Sequence, residues 1–341
     1  MKRLNRLTAI IVGVLLSFSV FCLGCSKAND GEWIKRVKEP SEYEFSFMAI
    51  GDTQILTYYY PDKLENVYDY VLDNVNKKNV KHVFGLGDIT DKDTQKEWTV
   101  AIEQISRMDG IVPYSVIRGN HDLQSSRRQS YFDMYFGDSE SAYSQQYVDC
   151  FKGNDLIEKT QRARNTVHKF SSSTRDYLVI ALDYGPTDDV LEWASQVVKS
   201  HPNHNVIVTT HAYITHNKGF VNEENSLTFP SRSNPALNDG DQIWEKFIKN
   251  HSNIVMVLCG HDPTDKIVMR QSNGVNGNVV TELLIDPQGM DKTLEATGMV
   301  ATFYVDANGK TVTVDYYSTV RNRYYLAENQ FTFEIATVER A

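Results

Sequence analysis

Five apolar runs in this 341-residue chain each lead into residues able to bind a metal ion. Phe45 to Ile50 ends in Gly51-Asp52-Thr53-Gln54, and Val80 to Leu86 ends in Gly87-Asp88. Val112 to Ile117 leads to Gly119-Asn120-His121-Asp122, Val206 to Thr210 ends in His211, and Ile254 to Leu258 leads to Gly260-His261-Asp262. Taken singly, a Gly-Asp pair is an ordinary turn and a lone His a satisfied polar group. In series they say more, because strands of one sheet bring their carboxyl ends together, and that edge is the crevice where open α/β folds bind ligands. Carboxylates, an amide and imidazoles gathered there form a donor set for divalent cations.

Such residues need a layered scaffold to hold them. From Tyr43 onward, strand-like runs alternate with helical periodicity, as in an α/β protein. Pro61 opens a helix whose apolar Leu64, Val67, Tyr68, Val71, Leu72 and Val75 follow the i, i+3, i+4, i+7 rule, so one face should pack on a sheet. Trp98, Ala101, Ile102, Ile105 and Met108 make a second amphipathic helix, ended by Gly110. Further strands are expected at 177–182, 206–210 and 254–258, with helices around 191–198 and 243–248. After residue 265, Asn273-Gly274, Asn276-Gly277 and Asn308-Gly309 are hairpin turn signals, which predicts antiparallel strands. Residues 123–165 and 217–242 lack periodicity and are expected as lids or binding insertions.

The whole series resembles the calcineurin-like metallophosphoesterases over roughly residues 43–320, most specifically at Gly119-Asn120-His121-Asp122. The resemblance implies a four-layer α/β/β/α sandwich with two divalent ions, drawn from Mn, Fe, Zn or Mg, in its crevice. By matching motif, Asp52 and Gln54 belong to the first ion, Asp88 bridges both, and Asn120, His211 and His261 belong to the second. His121, with Asp122 behind it, matches the family's proton-donating pair. The implied reaction is hydrolysis of a phosphate monoester or diester. Bridged cations about 3.5–4 Å apart share a water acidified to give hydroxide near neutral pH. His121 would protonate the leaving alkoxide, a step typically contributing roughly 10²- to 10⁴-fold, and Asp122 would orient its ring. A small phosphorylated substrate is expected, and no protein partner is implied.

Two positions depart from the family's pattern, and both fall on the first ion. Gln54 stands where most members have His, and Pro263 stands where many have a second His after the one matching His261. An oxygen-rich set of Asp52, Gln54 and Asp88 shifts preference from Zn²⁺ toward harder ions. Asp262 and Asp265 are candidate substitutes. The rival reading is a binding lipoprotein that keeps the fold and one metal but has lost turnover. Arg127, Arg128, Arg162 and Arg164 are candidate phosphate clamps, with a solvated face as the default. His216 and the Tyr58-Tyr59-Tyr60 run are candidate substrate contacts, with loop and packing roles as theirs.

Composition bounds the rest. The formal charge is −9, and removing Lys2, Arg3 and Arg6 leaves 32 basic against 44 acidic residues. That balance disfavours a nucleic-acid partner. Four Cys in 341 residues argue against a disulfide scaffold, and Cys259, at the end of an apolar run, is expected as a buried free thiol. Lys2, Arg3 and Arg6 precede an apolar run from Leu7 to Leu23, which predicts an export leader over residues 1–24. Leu23-Gly24-Cys25 resembles a bacterial lipoprotein box, implying lipidated Cys25 as the membrane anchor, a tether over 25–42, and an extension over 321–341 beyond the domain.

Overall fold

The structure is a computed structural model that describes residues 33–35, 40–124, 130–153, 159–293 and 297–340. The expected leader, Cys25, Arg127 and Arg128 lie outside the described residues. The apolar runs become strands of two sheets. The first holds β1 (Trp33–Ile34), β2 (Phe45–Ile50), β3 (Val80–Gly85), β4 (Tyr114–Ser115), β12 (Met299–Val305), β13 (Thr311–Ser318), β14 (Arg323–Tyr325) and β15 (Phe331–Glu334). Its spatial order is β1-β14-β13-β12-β2-β3-β4, with β15 also on β13. The second holds β5 (Asp149–Cys150), β6 (Thr166–Ser171), β7 (Asp176–Ala181), β8 (His204–Thr209), β9 (Ile254–Cys259), β10 (Val268–Asn273) and β11 (Val279–Leu284), in the order β10-β11-β9-β8-β7-β6-β5.

Side-chain alternation decides the layering. In β2, Phe45, Phe47 and Ala49 face a core between the sheets, shared with Phe84, Val179, Leu258 and Phe303. Met48 and Ile50 face the other way, onto Leu64, Val67 and Val71 of helix Pro61–Asn74 and Trp98 of helix Gln95–Ile105. Helices Asp188–Lys199 and Gly240–Lys246 cover the outer face of the second sheet through Leu191, Ala194, Ile243 and Trp244. The result is the expected four-layer α/β/β/α sandwich. Helix Gln95–Ile105 starts at a reciprocal Thr94–Glu97 capping box, worth about 1 kcal/mol.

Several boundaries differ from expectation, each for a local reason. Only Tyr114–Ser115 of the 112–117 run pairs as a strand, because its outer edge is taken by side chains: Val116 N–H donates to Tyr143 Oη and Tyr114 N–H to Gln146 Oε1. The described residues of the 123–165 stretch are built into the fold, with Phe132 and Phe136 edge-on to Trp98 and Arg164 forked onto buried Asp133. The 25–42 tether and 321–341 extension are corrected in part. Trp33 is buried against Tyr325, β1 pairs with β14, and β14 and β15 extend β13, because these segments carry apolar residues that complete the inter-sheet core. The antiparallel C-terminal region holds except at β11, which pairs antiparallel with β10 and parallel with β9. Cys150 and Cys259 are free and buried.

Candidate metal centre

Parallel pairing sends the carboxyl ends of β2, β3 and β4 in one sheet, and of β7, β8 and β9 in the other, to a shared edge. Asp52 and Gln54 follow β2, Asp88 follows β3, Asn120 follows β4, His211 follows β8 and His261 follows β9. Among the bonds that cross between the sheets, the His261 N–H donates to Asp52 Oδ2 (3.1 Å) and His211 Nδ1 donates to the Leu86 carbonyl (2.8 Å). They bring ligand atoms of Asp52, Asp88 and His211, all buried, within 4.8 Å of one another.

The hydrogen-bond partners fix which nitrogen each imidazole offers. A carbonyl accepts only, so Leu86 O holds the proton on His211 Nδ1, and Thr228 O, at 2.8 Å, holds it on His261 Nε2. The opposite nitrogens face Asn120 Oδ1, His211 Nε2 at 3.2 Å and His261 Nδ1 at 2.8 Å. With both rings neutral, three acceptors converge, an arrangement that fits a cation. On the other flank of Asp88, the Gln54 amide donates to Asp88 Oδ2 (3.2 Å), while Gln54 Oε1 and Asp52 Oδ1 are buried without a donor. Each such orphan costs about 1–3 kcal/mol unless something positive meets it. The residues present therefore fit an ion on either flank of Asp88. Gly260 is required beneath the first: a Cβ there would lie 2.0 Å from Asp52 Oδ1.

Buried charges crowd this site. Burial raises Asp52 well above the usual carboxylate range, reinforced by the neighbouring Asp286 and Asp88. Burial opposes ionisation of Asp88 too, but His211 and His121 outweigh it and hold the carboxyl low. His211 is raised by Asp88 against its own burial, whereas burial and the His211 charge push His261 down to about 4. Asp88 and His261 also sit at positive φ, 45° and 83°, a cost of roughly 1–3 kcal/mol each that the surrounding structure must override.

A family model for calcineurin-like phosphoesterases matches residues 45–265, the span that supplies all of these groups except Asp286. The chain belongs to that family. An uncharacterised Bacillus subtilis protein, YvnB, is 29% identical over 259 residues, which is 73% of this chain and 18% of YvnB, so the chain spans under a fifth of this curated relative. Among solved structures, GAP50, the anchor in the inner membrane complex of Plasmodium, superimposes with a TM-score of 0.50 at 11% identity, covering 88% of this chain and 90% of GAP50. That likeness bears on the fold alone.

Against the family's motif the structure makes one correction of role. His121 was expected to have Asp122 behind it, yet the buried Asp122 carboxylate accepts from the backbone N–H groups of Ile89, Thr90 and Gly119 and from Thr90 Oγ1 at 2.8–3.0 Å. Four donors hold it under the Asp88 turn, where burial and the Asp88 charge push its pKa up to about 7. The ring of His121 is held instead by Asp91, whose carbonyl accepts from Nδ1 at 2.9 Å and whose carboxylate lies at 3.5 Å. Asp91 shares the turn Gly87-Asp88-Ile89-Thr90-Asp91, so a signal for it was present in the sequence. Asp262 and Asp265 are corrected as well. Asp262 accepts from the His216 backbone (2.6 Å) and ring (2.7 Å), and Asp265 lies toward Tyr325 and Asn329. Arg164 is committed to Asp133, and Tyr58 and Tyr59 are exposed. The 217–242 loop reaches the site through Thr228 and, with Leu123 and Tyr184, lines an open cavity of about 460 Å³ beside Asn120, with Phe229 and Arg232 in its wall.

Proposed function

We propose that this chain is a metal-dependent phosphoesterase acting on a small phosphorylated substrate, exported and lipid-anchored through Cys25. The observation that carries the reading is the convergence of bare acceptors on both flanks of Asp88, with His121 poised at the same edge. Asp52, Gln54 and Asp88 would hold one divalent ion, and Asp88, Asn120, His211 and His261 the other. Bound there, the pair supplies an acidified water as nucleophile and positive charge for the phosphoryl oxygens. The protein's own part is positioning and proton delivery. With Asp91 O accepting from Nδ1, the doubly protonated His121 ring would carry its second proton on Nε2, and that proton would go to the leaving oxygen, returning the ring to its neutral Nδ1–H form. The cavity beside Asn120 would take the leaving group, with Arg232 at hand for a second anionic group.

The test is hydrolysis of nitrophenyl phosphate mono- and diesters with added Mn²⁺. Activity that disappears in Asp88→Asn and Asn120→Ala supports the reading. Absence of turnover with every divalent ion, while the protein still binds one, would favour the alternative of a binding lipoprotein, which Gln54 and Pro263 recommend. The anchor is tested separately, since Cys25→Ala should release the protein from the membrane fraction.

A further inference from the structure

We propose that Asp286 is a ligand of the first ion, doing from the end of β11 what a second His does in relatives at the position Pro263 occupies. The proposal rests on the two-ion reading above and deepens it. Because β11 runs parallel to β9, with Leu284 opposite Cys259, its carboxyl end emerges at the same edge as His261. The Ile285 N–H donates to Cys259 O (2.9 Å), which anchors the next residue beside the Gly260 turn. From the other side, a Cβ on Gly51 would lie 2.3 Å from Ile285 O and 2.8 Å from Pro287 Cδ, so the residues flanking Asp286 press on the residue preceding Asp52.

Asp286 is fully buried. Its Oδ1 accepts from the Gln288 N–H (2.8 Å) and its carbonyl from the Thr264 N–H (2.9 Å), which fix the group in place. Its Oδ2 has no donor, and the same is true of Asp52 Oδ1 and Gln54 Oε1. The Asp52 and Asp286 carboxyls lie in contact, and two buried carboxyl groups side by side with bare oxygens make a site for a cation, since both cannot stay charged there without one. The electrostatics agree: burial and Asp88 push Asp286 up to about 7, and Asp286 is the foremost charge raising Asp52. With Asp286 included, this flank offers oxygen alone, whereas the other flank has two imidazoles, so the two ions should differ in preference, Mn²⁺ or Mg²⁺ against Zn²⁺.

The test is Mn²⁺ binding by the purified protein, read by calorimetry and elemental analysis, for wild type, Asp286→Asn and Asp88→Asn, with circular dichroism to confirm each fold. Wild type should bind two ions. Asp286→Asn should keep one and weaken the other by tenfold or more, and its metal-free form should melt higher than metal-free wild type because a buried repulsion is gone. Asp286→Ser is carried in parallel, so that either folded variant decides. Two ions in wild type and two in the variant, with affinities within twofold, would overturn the role of Asp286 and leave the ion pair standing. No ion bound by wild type would instead overturn the reading on which this rests.

Discussion

Replacing Asp91 by Asn separates the observed arrangement from the one the motif suggests. The Asp91 carboxylate lies 3.5 Å from His121 Nδ1, with side chains 12% and 29% exposed. The Asp91 carbonyl keeps its own bond to Nδ1 in the variant, so orientation is weakened and not abolished. A charge-assisted contact is worth roughly 1.5–3 kcal/mol when well made. At this length and exposure about 1–1.5 kcal/mol is reasonable, or about five- to twelvefold in kcat. The ceiling is the full general-acid contribution, roughly 10²- to 10⁴-fold, expected for His121→Ala. The assay compares an alkyl phosphate ester with a nitrophenyl ester, because only the alkoxide needs a proton to leave. Asp91→Asn should slow the alkyl ester by that factor and barely change the nitrophenyl ester. Asp122→Asn should instead destabilise the fold by about 2–4 kcal/mol, since one oxygen can no longer accept from its backbone donors. If Asp122→Asn folds normally and selectively slows the alkyl ester while Asp91→Asn does not, the reasoning fails.

Other consequences can be checked directly. Chelation should lower the melting temperature, because removal of the ions leaves Asp52, Asp88 and Asp286 crowded and buried; restoring Mn²⁺ at a hundred times its Kd should recover about 2.7 kcal/mol per site. Gly260→Ala should fold yet lose at least tenfold in activity, since its Cβ would displace Asp52 Oδ1; unchanged turnover would show that the close approach is not needed. Acid should destabilise the fold through His168, which burial lowers to about 4. The unfolded chain binds that proton near pH 6.5, so about 3 kcal/mol is lost as pH falls from 6.5 to 4. His82, packed 5.4 Å from it and also lowered by burial, acts in the same direction, and denaturant midpoints against pH should be shallower in His168→Gln.

The layers and the main candidate ligands were legible because each depends on a short local pattern. Alternation in Phe45–Ile50, the helical period after Pro61, and a Gly-Asp or His at a strand end each speak within a few residues. What escaped the sequence depends on pairing between distant segments. β11 reads as one arm of a hairpin, which it is, but its other edge is parallel to β9, and only that pairing brings Asp286 to the site. The short β14 and β15 and the two-residue β1 carry too few residues for a period, and tertiary burial of Trp33, Tyr325 and Phe333 makes them strands. Asp122 misled because adjacency in sequence to His121 suggested adjacency of side chains, whereas the tight turn at 121–123 points the two apart, one into the backbone nest and one toward the crevice.

The most direct test of the central claim is anomalous diffraction from crystals soaked in Mn²⁺. Two peaks should appear on opposite flanks of the Asp88 carboxylate, one against Asn120, His211 and His261 and the other against Asp52 and Gln54. No peak at Asp88, or ions bound only elsewhere on the molecule, would contradict it.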